Sequence, residues 1–153
     1  MQACQASKVP TGWVLTSVSP SVDPFCGTWH DISIHRPYNG MTACIQTPMP
    51  QGYFPTAITT TTSYPCSGQQ SVTLNTAYQG MYACSNSVLW SPWVITAEAA
   101  GTNCAGWGVI QLSTPYDGIT ICTNQPVPPG YVAGAHFSTS MCQGWDAEVL
   151  HKA

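Results

Sequence analysis

Eight cysteines recur in this 153-residue chain at a fixed spacing, and nothing else in the sequence restricts the fold as sharply. The first of each pair is Cys4, Cys44, Cys84 and Cys122, the second Cys26, Cys66, Cys104 and Cys142, so every interval is 38 or 40 residues. Other positions keep this register. Nine residues after each first cysteine stands an aromatic: Trp13, Tyr53, Trp93 and Tyr131. Gly12, Gly52 and Gly130 precede three of these, and Pro92 precedes the fourth. Three residues after the second cysteine stand Trp29, Gln69, Trp107 and Trp145, and eight after it Ile34, Leu74, Leu112 and Leu150. Then come Tyr38-Asn39-Gly40, Tyr78-Gln79-Gly80 and Tyr116-Asp117-Gly118. A period matched at so many offsets marks one supersecondary unit used repeatedly. The repeats run over 1–40, 41–80, 81–118 and 119–153.

Eight cysteines admit roughly a hundred connectivities. Only pairings within a repeat, or between neighbours, respect the period. The within-repeat set is expected: Cys4–Cys26, Cys44–Cys66, Cys84–Cys104 and Cys122–Cys142. Each would close a loop of about 20 residues and stabilise by about 3 kcal/mol in the chain-entropy account. Such a staple replaces core that a unit of about 40 residues is too small to build alone. It also implies an oxidising location, extracellular or at the cell surface. The segment opening at Met1 already belongs to the first repeat, so a secretory leader is expected to have been removed ahead of this numbering. No CxxC or neighbouring His pair occurs, so neither metal nor cofactor is expected.

Within a repeat the pattern is β throughout. In the second, "MTACI" is β-prone and "QTPMPQG" is a connector set by its prolines. "YFPTAITTTT" is aromatic and β-branched, and "SVTLNTAY" alternates. "WVITAEAAG" carries helix formers, yet its place in the period assigns it to a strand. The expected fold class is all-β: four pseudo-repeated, three-stranded, disulfide-stapled units, in a line or a closed ring. Asn39-Gly40 and Asp117-Gly118 fit primed two-residue turns. On that reading Tyr-x-Gly joins the third strand of one repeat to the first strand of the next. The first strand, with Met1, Gln2 and Ala3, and the last, with Val149, Leu150 and His151, are then open edges available for assembly.

Only 6 % of residues are charged, with three Lys or Arg against six Asp or Glu. That lacks the basic footprint of a nucleic-acid partner. No apolar run approaches the roughly 18 residues of a membrane span, so no membrane insertion is expected. The candidates for catalysis, Asp23, His30, Asp31, His35, Arg36, His136, Asp146, Glu148 and His151, do not recur through all four repeats and form no known catalytic signature. A non-enzymatic protein is expected. The foremost reading is a secreted structural subunit of a fibre or surface matrix, whose partner is its own copy. Scarce charge leaves strand edges unguarded, and the uncharged segment 56–63 is suited to strand addition. The alternative is a multivalent lectin or adhesin that stacks glycans on Trp13, Tyr53, Trp93 and Tyr131 or on Trp29, Trp107 and Trp145. A small toxin-like or inhibitor-like domain ranks third.

Overall fold

A computed structural model of the chain describes residues 2–4, 8–20, 26, 30–45, 47–60 and 65–153. Met1, Asp23 and Trp29 lie outside them, as do residues 61–63 of the segment expected to add strands. The described residues hold twelve strands and no helix. They are β1 (Gln2–Cys4), β2 (Val14–Ser19), β3 (Asp31–His35), β4 (Met41–Cys44), β5 (Tyr53–Ile58), β6 (Ser71–Thr76), β7 (Tyr82–Cys84), β8 (Val94–Ala99), β9 (Val109–Ser113), β10 (Thr120–Cys122), β11 (Tyr131–Ala133) and β12 (Ala147–Lys152). The segment with helix formers is indeed strand β8, because cross-strand pairing and burial outweigh intrinsic preference.

The strands form four antiparallel three-stranded sheets, ordered β1-β3-β2, β4-β6-β5, β7-β9-β8 and β10-β12-β11. Each sheet carries one disulfide: Cys4–Cys26, Cys44–Cys66, Cys84–Cys104 and Cys122–Cys142. The first strand's cysteine lies opposite the start of the third strand, as in Cys44↔Ser71 and Cys122↔Ala147. The second cysteine stands a few residues upstream of that point, so the bond ties the first strand to the loop that feeds the third.

This order corrects the expected role of Tyr-x-Gly. The third strand is the middle of its own sheet and does not form a hairpin with the next repeat. The chain turns and pairs forward: the Gly40, Gly80 and Gly118 N–H groups donate to Leu74, Leu112 and Leu150 carbonyls at 2.9, 2.8 and 2.7 Å. The turns also differ from expectation. Among Tyr38–Met41 only Gly40 has positive φ, at 77°, and Gly118 repeats this at 84°. That is type II geometry. The primed turns follow the second cysteine instead, where Ala105 and Gly106 have φ of 51° and 90°, and Gln143 and Gly144 41° and 90°.

β12 is hydrogen-bonded to β10 on one side and β11 on the other. Val149, Leu150 and His151 therefore lie on a central strand and not on an open edge, and Leu150 is 0 % exposed. β1, with Gln2 and Ala3, is an edge strand of its sheet.

The chain divides into two compact units, Met1–Thr76 and Ala77–Ala153, each holding two repeats. In unit 1 the second repeat caps the edge of β2. Val18 N–H donates to Pro65 O at 2.7 Å, and Leu15 N–H to Thr47 Oγ1 at 2.8 Å. Cys44 and Cys66 of the second repeat join Leu15, Val18, Ile32 and Ile34 of the first in one buried cluster. Unit 2 repeats the plan. Glu98 N–H donates to Met141 O at 2.6 Å, and the Gln125 amide both accepts from Ile95 N–H and donates to Ile95 O, each at 2.7 Å. Val94, Ile119, Ile121 and Leu150 form its buried cluster, with Tyr131 packed on it.

Candidate functional site

Threonine is the polar residue that keeps the period, at Thr16, Thr56 and Thr96, and the structure shows why. The register slips between Leu15 and Ser17, between Pro55 and Ala57, and between Ile95 and Ala97. Each threonine is thus the extra residue of a β-bulge, where the strand bends and a side chain is re-aimed. Its hydroxyl returns a hydrogen bond to the middle strand: Thr16 Oγ1 to Ser33 O at 3.1 Å, Thr96 Oγ1 to Gln111 O at 3.4 Å.

Beside the bulge sits a Tyr-x-Gly turn that is fixed from below. Its middle residue accepts the backbone N–H that follows or ends the sheet's central strand. Asn39 Oδ1 receives Thr76 N–H at 2.7 Å, Gln79 Oε1 receives Thr114 N–H at 3.0 Å, and Asp117 Oδ1 receives Lys152 N–H at 2.9 Å. The turn needs its glycine for φ. It does not need its tyrosine. Yet Tyr38 and Tyr116 are retained and stand 61 % and 55 % exposed.

Bulge and turn enclose a shallow pocket in each unit. In unit 1 it has a volume of about 290 Å³ and is lined by Thr16, His35, Tyr38, Gly40, Met41 and Thr42. In unit 2 it has a volume of about 360 Å³ and is lined at the six matching positions by Thr96, Ser113, Tyr116, Gly118, Ile119 and Thr120, with Gln79, Gly80, Gln111 and Met141 added. The unit 2 polar groups are pre-set. Gln79 Nε2 donates to Ser113 Oγ, and Gln111 Nε2 donates to Gly80 O at 3.5 Å, with Gln111 Oε1 lying 3.4 Å from Thr96 Oγ1. Neither lining contains Asp, Glu, Lys or Arg. Both pockets offer an aromatic face and hydroxyls, to which unit 2 adds two carboxamides and unit 1 an imidazole.

The aromatics singled out by the period fall elsewhere. Trp13 packs on the unit 1 cluster, with the Arg36 guanidinium 5.6 Å from its ring centroid. Tyr53 and Tyr131 donate their hydroxyls to Pro37 O and Pro115 O at 3.0 and 2.9 Å. These rings hold the turn that bears the pocket tyrosine, and do not reach the pocket. Trp93 lines an apolar groove of about 320 Å³ with Leu89, Pro92, Pro126 and Pro128. Trp107 and Trp145 close the primed turns, 54 % and 53 % exposed, outside both pockets. Sequence reasoning passed over Tyr38 and Tyr116 by treating Tyr-x-Gly as turn chemistry alone. A residue that the turn does not require, kept in every copy, was the available signal.

The titratable candidates are scattered. His136 Nε2 lies 2.8 Å from the buried Glu148 carboxylate, and His151 Nδ1 lies 3.8 Å from Asp117. Asp146 accepts from Ser138 Oγ at 3.3 Å. Among the described residues no three His, Cys, Asp or Glu gather as a metal set, and all eight cysteines are bridged. No described helix is long and apolar enough to cross a membrane, which says nothing of spanning strands. The fold and the repeated pocket define a disulfide-rich, all-β tandem-repeat protein. Comparison with protein-family models, with curated proteins and with solved structures finds no match. The four disulfides suggest an extracellular or secreted protein.

Proposed function

We propose that this protein is a non-enzymatic, multivalent saccharide-binding protein that engages glycans through Tyr38 in unit 1 and Tyr116 in unit 2. One observation carries the reading: the same pocket, matched at six positions, is built twice from a bulge threonine, a turn tyrosine and a strand threonine. Sugar rings present an apolar C–H face and a rim of hydroxyls. An aromatic ring beside a few fixed hydrogen-bonding groups is complementary to both. Two sites on one chain raise avidity for a surface without any new contact. The turn tyrosines Tyr38 and Tyr116 thus take the glycan-facing role expected of the repeated Trp13, Tyr53, Trp93, Tyr131, Trp107 and Trp145.

A glycan array probed with the wild type, Tyr38→Ala, Tyr116→Ala and the double variant tests this. On a dense surface that presents both neutral and acidic glycans, each single variant should lower apparent affinity by roughly 10²-fold, the gain lost when a second site goes. The double variant should not bind. Binding that survives in the double variant refutes the proposal.

Self-assembly by strand addition is a second reading, moved to a different strand. β2 and β8 each have an edge capped by the following repeat, through Val18 and Glu98 N–H. β11, the matching strand of the last repeat, is an edge strand with Val132 and Ala133 exposed. An added strand from another copy would meet little charge there. Negative-stain imaging should then show filaments that Val132→Lys abolishes. Discrete particles from concentrated wild type would exclude it.

A further inference from the structure

The twin pockets match at six positions and differ in chemical kind at one. Where unit 2 has Ser113, unit 1 has His35. Ser113 is already engaged, donating to Thr114 O at 3.1 Å and accepting from Gln79. His35 ends β3 opposite Val14 and is exposed at the pocket. Among the described residues no carboxylate pairs with it. β1 and β2, which flank β3 in its sheet, and β4, which shares the pocket lining, carry no charged residue. Asp31 begins β3 four residues back, about 13 Å away at the usual rise of a strand. Arg36 lies against the Trp13 ring, and among the described lining residues the only other titratable group is Tyr38. His136 and His151, by contrast, each face a carboxylate. Unit 1 also has Ser33 at the position where unit 2 sets Gln111, so it offers fewer neutral donors and one that can become cationic.

Resting on the saccharide reading, we infer that the two pockets differ in specificity: the unit 2 pocket takes neutral sugar rings, and the unit 1 pocket takes an acidic saccharide whose carboxylate or sulfate is bound by His35. Imidazole is the side chain whose charge ordinarily changes between pH 5 and 8, so acidic ligands should be held at the acid end of that range and released at the other. The unit 2 lining holds no histidine.

Calorimetry with trigalacturonate, a 6-sulfated galactoside and methyl galactoside at pH 5.5 and pH 8 is the test. The sulfated probe separates sulfate from carboxylate recognition. The proteins are the wild type, His35→Ser and Tyr116→Ala. Serine is the residue the chain itself uses at the matching position, so the fold should tolerate it, and circular dichroism checks this. The wild type should bind at least one acidic probe about tenfold more tightly at pH 5.5 than at pH 8. His35→Ser should lose that difference, and Tyr116→Ala should keep it while losing the galactoside. Equal binding of acidic probes by the wild type and His35→Ser overturns the inference. So does galactoside binding that needs Tyr116 with no acidic binding at all, which leaves the proposed function standing. Failure to bind any saccharide overturns both.

Discussion

Leu150 shows how one residue's meaning depends on where the hydrogen bonds go. It sits eight residues after Cys142, the offset at which Ile34, Leu74 and Leu112 also stand. All four are buried, Leu150 and Leu112 completely. On β12 its N–H donates to Ile119 O at 2.8 Å and its carbonyl accepts from Gly118. Its side chain packs with Val94, Ile119 and Ile121. Leu150→Ala should therefore destabilise the protein by about 2–5 kcal/mol, the range for truncating a filled core position. Val149, its half-buried neighbour on the opposite face, should tolerate alanine for a fraction of that. Chemical denaturation of the two variants measures the difference. Similar small losses would mean that Leu150 is not the core residue its burial describes. The same logic explains why the site was harder to read than the core. A leucine at a fixed offset announces burial, whereas Tyr38 is noticed only after its turn is seen to need nothing but Gly40.

Among the elements, what could be read depended on whether a signal was local. Strand content followed from alternation and β-branching, and the cysteine period placed three strands between each pair of boundaries. Even β8, with Ala97, Glu98 and Ala99, was readable, because the period carried information that its residues do not. Strand order was not local and came out differently. Asn39-Gly40 suits a primed hairpin turn, but the Asn39 side chain is occupied in accepting Thr76 N–H and Thr76 Oγ1–H, both at 2.7 Å. That contact ties the turn to the end of the next sheet's central strand, 37 residues ahead, and no dipeptide rule reports it. The bulges were equally hidden. A threonine at Thr16 and Thr96 looks like one more β-branched residue until the register slip makes it the unpaired one. The pockets arise from the bulge and the turn together. They lay beyond a reading that treated each element by itself.

In the whole molecule, the unit of stability is either a single repeat or a tandem pair. Each repeat has its own sheet and its own disulfide, which suggests the first. The buried clusters argue otherwise. Cys44 and Cys66 belong covalently to the second repeat, yet they pack with Leu15, Val18, Ile32 and Ile34 of the first. Removing that bridge should thus do two things at once. The second repeat loses a cross-link worth about 3 kcal/mol in the unfolded-state account. The first loses two fully buried neighbours of its core and the fixed position of Pro65 O and Thr47 Oγ1, which hold the edge of β2. In a Cys44→Ala, Cys66→Ala variant, amide hydrogen exchange should accelerate at Ile32 and Ile34 as well as at Val72 and Leu74. Acceleration confined to residues 41–76 would show that a repeat stands alone, and the staple would then be a local device. If the change spreads into β2 and β3, the disulfide is the shared core of a pair. The tandem pair is then the smallest stable assembly, and it is also the smallest that closes a Tyr-x-Gly turn of one repeat against the bulge that builds a pocket.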